Sequence, residues 1–181
     1  TKLLNVEDGR NFWSKTIRES DVEGGGDFID EATGLIAALI AGHDGAIHRD
    51  ILAKALVKNE EDLTPMELIQ LGKATWEDQT EDVTVDGTRY LERCIKLNPD
   101  ISTAHAILSE VYLEDVRRDY NKIDDAMSKA KASVARAIEL NPSNAIALIE
   151  QIWISWYEKD FTSCNLQIEE ALKANPYEPL V

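Results

Sequence analysis

Three segments of the chain end alike, and the interval between them limits the fold more than any other feature. Leu91-Glu92-Arg93-Cys94-Ile95-Lys96-Leu97-Asn98-Pro99, Val134-Ala135-Arg136-Ala137-Ile138-Glu139-Leu140-Asn141-Pro142 and Ile168-Glu169-Glu170-Ala171-Leu172-Lys173-Ala174-Asn175-Pro176 each read as an amphipathic helix end closed by Asn-Pro. Proline lacks the N–H and the backbone freedom to continue a helix, so each Asn-Pro marks a stop. Pro142 to Pro176 is 34 residues and Pro99 to Pro142 is 43, nine more. A recurring unit of this size describes a repeated supersecondary element.

The repetition extends to side-chain size. A small-x3-bulky-x2-small-x4-Pro pattern is met by Gly87, Leu91, Cys94 and Pro99, by Ala130, Val134, Ala137 and Pro142, and by Cys164, Ile168, Ala171 and Pro176. Upstream of the second copy, His105, Leu108, Ser109 and Tyr112 follow a large-x2-Leu-small-x2-Tyr spacing; Leu68, Leu71 and Gly72 follow it more loosely ahead of the first. Ahead of the third, Leu148 fits while Gln151, Ile152 and Ser155 depart, and Lys159-Asp160-Phe161 suits the turn between two helices. Eighteen residues separate Tyr112 from Ala130 where the pattern wants nine, which locates the extra residues between the two helices of the middle unit.

These motifs resemble the tetratricopeptide-repeat family, with histidine at 105 in place of the usual tryptophan. The resemblance implies an all-α fold, a helical solenoid (α-α superhelix) of three repeats at about 63–99, 100–142 and 143–176, the middle one carrying the insertion. Small residues where helices cross let backbones approach closely, bulky ones fill the space between, and each helical pair leaves an apolar face that only its neighbour covers. The entry is marked at Thr64, a capping residue, with Pro65 in the first turn and Glu67 three after Thr64 to close a capping box.

Residues 27–62 read as a capping helical pair. Phe28, Ala32, Leu35, Ile36 and Leu39 keep helical spacing from Asp27 to Gly42, and Ile47, Ile51, Leu52, Ala55 and Leu56 share a face from Gly45 to Lys58. Residues 1–26 read as a short β-hairpin remnant of an upstream α/β domain, with Leu3-Leu4, a turn at Glu7-Asp8-Gly9, Arg10-Asn11-Phe12-Trp13-Ser14 extended, and Gly24-Gly25-Gly26 as a joint. The layout is also similar to the C-terminal repeat region of bacterial class III adenylate cyclases and winged-helix transcriptional regulators. Leu4, Gly9, Arg10 and Trp13 carry that likeness, followed by Asp30-Glu31-Ala32 and by Leu63, Thr64, Glu67 and Leu68. The chain begins at Thr1 with no signal-peptide pattern and reads as an excised fragment; the resemblance implies a larger bacterial signalling protein, and the two lone cysteines suit a reducing cytoplasm.

Charge narrows the partners. Nineteen Lys and Arg against 34 Asp and Glu give −15, a field that repels phosphate backbones and anionic headgroups. Nucleic-acid binding is not expected of this segment, and the apolar run Leu35–Ala41 is too short for the roughly 20 residues of a membrane span.

Residues with chemistry are few. His43, His48 and His105 lack metal-ligand spacing, and His105 reads as a partly buried packing residue. Cys94 and Cys164 occupy small-residue slots and read as small hydrophobes, consistent with a reducing compartment. Ser14, Ser109 and Ser133 have no glycine elbow, and Gly24-Gly25-Gly26 lacks the Lys-Ser/Thr of a phosphate loop. The expectation is a chain without catalytic, cofactor or metal residues. Glu77, Asp78, Glu81, Asp82 and Asp86 read as a solvated acidic linker.

The family resemblance implies a groove lined by the first helix of each repeat. Carried over by register, its positions are Met66, Ile69, Lys73 and Trp76, then Thr103, Ala106, Glu110 and Leu113, then Ile146, Ile149, Trp153 and Trp156. Its expected occupant is a protein or peptide, heterologous or intramolecular. The alternative is a dimerisation or spacer segment in which a second copy covers the Trp153 and Trp156 face.

Overall fold

The computed structural model describes residues 2–4, 9, 11–16, 33, 34, 36, 40, 45–77 and 81–174. They divide into two compact units, Thr1–Val57 and Lys58–Val181. Helix dominates both; the helical part of the all-α expectation holds among the described residues.

In the first unit, β1 (Lys2–Leu4) pairs antiparallel with β2 (Asn11–Ser14). Lys2 faces Ser14 and Leu3 faces Trp13, but Leu4 faces Asn11, so Phe12 is an extra residue that bulges the second strand. Gly9, in the connection, has φ 68°, a conformation glycine enters freely. α1 (Ala46–Ala55) begins at an extended Gly45 and lies against β2. Its buried residues are Ala46 and Ala55, while Ile51 and Leu52 are half-buried and Ile47 and Leu56 are exposed, a narrower apolar face than their spacing suggests. Of the helix expected from Asp27 to Gly42, only Thr33, Gly34, Ile36 and Ile40 are described, and they are helical; Gly24-Gly25-Gly26 lies outside the described residues.

The second unit opens with a 3-10 turn at Glu60–Asp62, followed by α2 (Pro65–Glu77), α3 (Glu81–Leu97), α4 (Ser102–Arg117), α5 (Ala126–Leu140), α6 (Ala145–Tyr157) and α7 (Phe161–Ala174). Consecutive helices pack side by side throughout, as α2 with α3, α4 with α5 and α6 with α7. The first helices of these pairs also meet one another, α2 against α4 and α4 against α6.

Helix ends follow the sequence signals. The Thr64 N–H donates to Glu67 Oε2 at 2.9 Å and the Glu67 N–H to Thr64 Oγ1 at 3.4 Å, closing the capping box over the first turn of α2. Lys58 Nζ also donates to Glu67, at 2.7 Å. Burial pushes the Glu67 carboxyl up, but the hydrogen bonds from Lys58 and Thr64 outweigh it and hold it below the usual value. α3 ends at Leu97 before Asn98-Pro99 and α5 at Leu140 before Asn141-Pro142; Asn141 turns extended at φ −148°, ψ 97°. Glu81, Asp82 and Asp86 are not a linker, as the sequence suggests, but part of α3. Carboxylates in a first turn face the positive end of the helix dipole, which favours helix there.

The small and bulky slots meet as their sizes require. A Cβ built on Gly72 of α2 would stand 2.6 Å from Cγ of Leu91 on α3, and both residues are buried. In the next pair, Ser109 Oγ on α4 donates to the Ala130 carbonyl of α5 at 2.9 Å, a contact available only where two backbones run close. Cys94, Ala130, Val134, Ala137, Cys164 and Ala171 are buried as well. The third pair is looser: Ile152 stands where Gly72 and Ser109 stand in the others, and it and Ile168 are half-buried.

The additional residues of the middle unit are distributed along the chain. Relative to α6 and α7, three extend α4, five lengthen the connection to residues 118–125 and one extends the start of α5. Asp119, Asn121 and Asp125 in this loop each have φ 55°. Buried Asp115 organises it by accepting from the backbone N–H groups of Lys122 at 3.1 Å and Ile123 at 3.3 Å.

Gly72→Ala is expected to destabilise the second unit by about 1–3 kcal/mol in urea titration despite alanine's better helix propensity, because Leu91 is packed where the methyl must go. Adding Leu91→Val should recover part of that loss. Asp115→Ala is expected to cost about 2–3 kcal/mol, since it strips two loop N–H groups of a charged acceptor. Hydrogen exchange at Lys122 and Ile123 should accelerate in that variant.

Candidate partner-binding face

α6 differs in composition from the other helices. Its 13 residues, Ala-Ile-Ala-Leu-Ile-Glu-Gln-Ile-Trp-Ile-Ser-Trp-Tyr, hold one charged side chain, Glu150. Asn144 starts it: its Oδ1 accepts from the Ala147 N–H at 3.2 Å, and its Nδ2 donates to Ser102 Oγ at 2.8 Å. Ser102 Oγ in turn donates to the Ala137 carbonyl at 2.8 Å, joining the starts of α4 and α6 to the end of α5. Ala147, Leu148, Glu150, Ile154 and Ser155 form the buried side.

The opposite side is open. Trp153 is 43% and Trp156 54% exposed, with half-buried Ile146 and Ile149 on the same side of the helix. Across the tight turn at Lys159, φ 61°, Trp156 meets the exposed Phe161 edge to face, with ring centroids 5.3 Å apart and planes at 75°. Leu166 and Leu172 on α7 are exposed too. A contiguous exposed apolar patch is the usual mark of an interaction face, and the Trp156–Phe161 contact makes that part of the surface continuous.

The groove positions expected from register are placed unequally. Met66, Thr103, Trp153 and Trp156 are exposed, and Glu110, Ile146 and Ile149 are half-buried. Ile69, Lys73, Ala106 and Leu113 are buried, so they present no surface to a partner. The register places all twelve on one side, but the close approach of neighbouring helices shuts the inner positions; α4, with α2 on one flank and α6 on the other, closes on Ala106 and Leu113. The Trp76 side chain lies outside the described residues. The open wall is therefore chiefly that of α6.

Glu150 was not singled out by the register, although a lone acid in an otherwise uncharged apolar helix was a visible signal. It is 6% exposed, and among the described residues no donor hydrogen-bonds to its carboxyl. Burial pushes that carboxyl well above its ordinary range; Glu110 and Glu114 of α4 add to the shift, and Arg117 of α4 opposes it. Arg117 and Arg118 are ion-paired with Glu114. Burial raises the Glu114 carboxyl, but these two arginines outweigh burial and hold it low.

Cys94, His105 and Tyr112 are tied into the packing of the fold. Cys94 is buried, its Sγ on the Pro65 carbonyl at 3.4 Å, and burial pushes its thiol up to about 11, away from a reactive thiolate. Cys164 is buried. Half-buried His105 donates from Nε2 to the Pro99 carbonyl at 2.9 Å, and His48 lies on α1, while His43 is outside the described residues. Burial, helped by Glu92, raises the Tyr112 hydroxyl to about 12. No group of three or more His, Cys, Asp or Glu among the described residues could hold a metal ion, and no described helix is long and apolar enough to cross a membrane.

A carboxyl whose folded value is raised favours the fold below its unfolded value near 4.5 and loses that contribution as pH climbs through the raised one. Glu150→Gln should therefore melt above wild type at pH 7, with the gap narrowing as pH falls toward 4.5; equal melting temperatures at both ends would show the carboxyl to be solvated.

Neither a protein-family model nor a curated protein matches the chain, so the reading of this face rests on its own residues.

Proposed function

We propose that the chain is a tetratricopeptide-like, non-catalytic interaction module whose α6 face binds a peptide or protein segment. One observation carries the reading: Trp153 and Trp156 stand 43% and 54% exposed on a helix with a single charged residue, beside half-buried Ile146 and Ile149. Large aromatics supply much of the energy where proteins dock, and a first-helix wall between neighbouring helices is suited to an amphipathic helix or an extended apolar peptide. The paired helices, the Asn-Pro stops and the small-to-bulky contacts at Gly72–Leu91 and Ser109–Ala130 support the repeat assignment. Leu4, Gly9, Arg10 and Trp13, with the Leu63-Thr64 entry, support a parent of the bacterial adenylate cyclase or winged-helix regulator type, in a cytoplasmic signalling role.

The Trp156–Phe161 edge and exposed Leu166 favour one other occupant, a second copy of the chain. Light-scattering mass separates the two. The expected result is a monomer, unchanged by the double substitution Trp153→Glu, Trp156→Glu, with wild type selecting peptides from a random display library and the double variant selecting none at matched helical circular dichroism. A dimer that the substitutions split would assign the face to self-association instead.

A further inference from the structure

We propose that the occupant of this face is an amphipathic α-helix of a partner protein, cationic on its outer side, seated across α6 and α7 where the first helix of a further pair would stack. The inference rests on the reading of the face as an interaction surface and deepens it by fixing the conformation and charge of what binds there. In the first two pairs a following first helix covers the pair before it: α4 packs on α2 and α3, and α6 on α4 and α5. Among the described residues no helix follows α7.

Matched positions of the three pairs differ in burial accordingly. Ile69 of α2 and Ala106 of α4 are buried, while their counterpart on α6, Ile149, is half-buried. Leu91 of α3 and Val134 of α5 are buried, while Ile168 of α7 is half-buried. Ile95 and Ile138 are half-buried, while Leu172 is exposed. Within the second unit α2 has a following pair and no preceding one, yet Ile69 is 1% exposed, so the cover at this slot comes from the helix that follows. Stacked repeats bury their faces on their neighbours, and the last pair is one helix short.

The space has the shape of a helix because α4 and α6 each touch both helices of the pair beneath them. An extended guest gains no ladder here, since the backbone groups along α6 and α7 are already paired within their helices. Asn175 to Val181 is a poor source of the helix, seven residues with Pro176 and Pro179 against the 13 of α6. Charge decides between a partner and a second copy. Each copy carries −15, and exposed Glu169 lies one turn from Leu172, with exposed Glu170 next to it. A second copy brings like charge to that rim, whereas a helix with Lys and Arg on its outer side is drawn to it. The seat also suits an occupant that comes and goes. Asn144 Nδ2 donates to Ser102 Oγ at 2.8 Å to fix α6 on α4, but α6 has Ala145 at the place of Ser102, so the next helix is held without that bond.

The test is a random display library of 16-residue peptides, the length of α4, selected against the whole chain. Selected peptides should carry apolar residues at helical spacing and an excess of Lys and Arg, and should gain helical circular dichroism on binding. A central proline in such a peptide should weaken binding at least about tenfold. Leu172→Glu, at unchanged helical circular dichroism of the protein, should do the same in a tryptophan-fluorescence titration, again by about tenfold or more. Binding that ignores both the proline and Leu172→Glu but is lost in the Trp153→Glu, Trp156→Glu variant would overturn the helix seat and keep the α6 face. Selected peptides without excess Lys or Arg would overturn the cationic assignment, and a dimer that Leu172→Glu splits would give the seat to a second copy. Failure of wild type to select any peptide would overturn the face and the seat together.

Discussion

The second unit depends on how closely two helices of a pair can approach. At Gly72 the absence of a side chain leaves room for Leu91, and at Ser109 a hydroxyl is short enough to reach the Ala130 carbonyl across the crossing. A larger residue at either site would push the axes apart and open the seams in which Leu68, Ile107, Val111 and Val134 are buried. The Asn-Pro stops and the capping box at Thr64 and Glu67 serve the same end, because a helix that started late or ran on would move the small residue away from the crossing.

This constraint accounts for what was legible in the sequence. Small and bulky slots repeat at fixed separations, so the helix pairs and the ends of α3 and α5 could be read directly; the inserted residues were placed only in part, since four of the nine lie in α4 and α5 and not in the connection. The first helix of the array could be read too, since Thr64, Pro65 and Glu67 act within one turn. The acidic run after Trp76 was misread for a related reason: Glu81 and Asp82 look like linker by charge, yet the beginning of a helix is where acids are favoured.

The candidate face was less legible because register tells which side of a helix a residue occupies and not how near the next helix stands. Ala106 and Leu113 share a side with Thr103, but only the distance between neighbouring helices decides that they are shut while Thr103 is open. Glu150 lay between the positions selected by register, and its meaning depends on residues 33 to 40 positions away on α4. The looser third pair, with Ile152 in a slot that is small in the other two, belongs to the same helix that displays Trp153 and Trp156. The helix with the least compact packing is thus the one offering surface.

The chain of hydrogen bonds from Asn144 through Ser102 to the Ala137 carbonyl joins three helix ends through two small side chains. Because Asn144 also caps α6, fraying at the beginning of α6 releases the beginning of α4 and the last turn of α5 in the same event. In a linear array, where each element touches only its neighbours, such a shared terminus raises the coupling between adjacent units relative to their individual stabilities. The middle and last pairs should therefore behave as a single foldon, and an occupant that rigidifies α6 would be felt at Ser102, in the preceding pair.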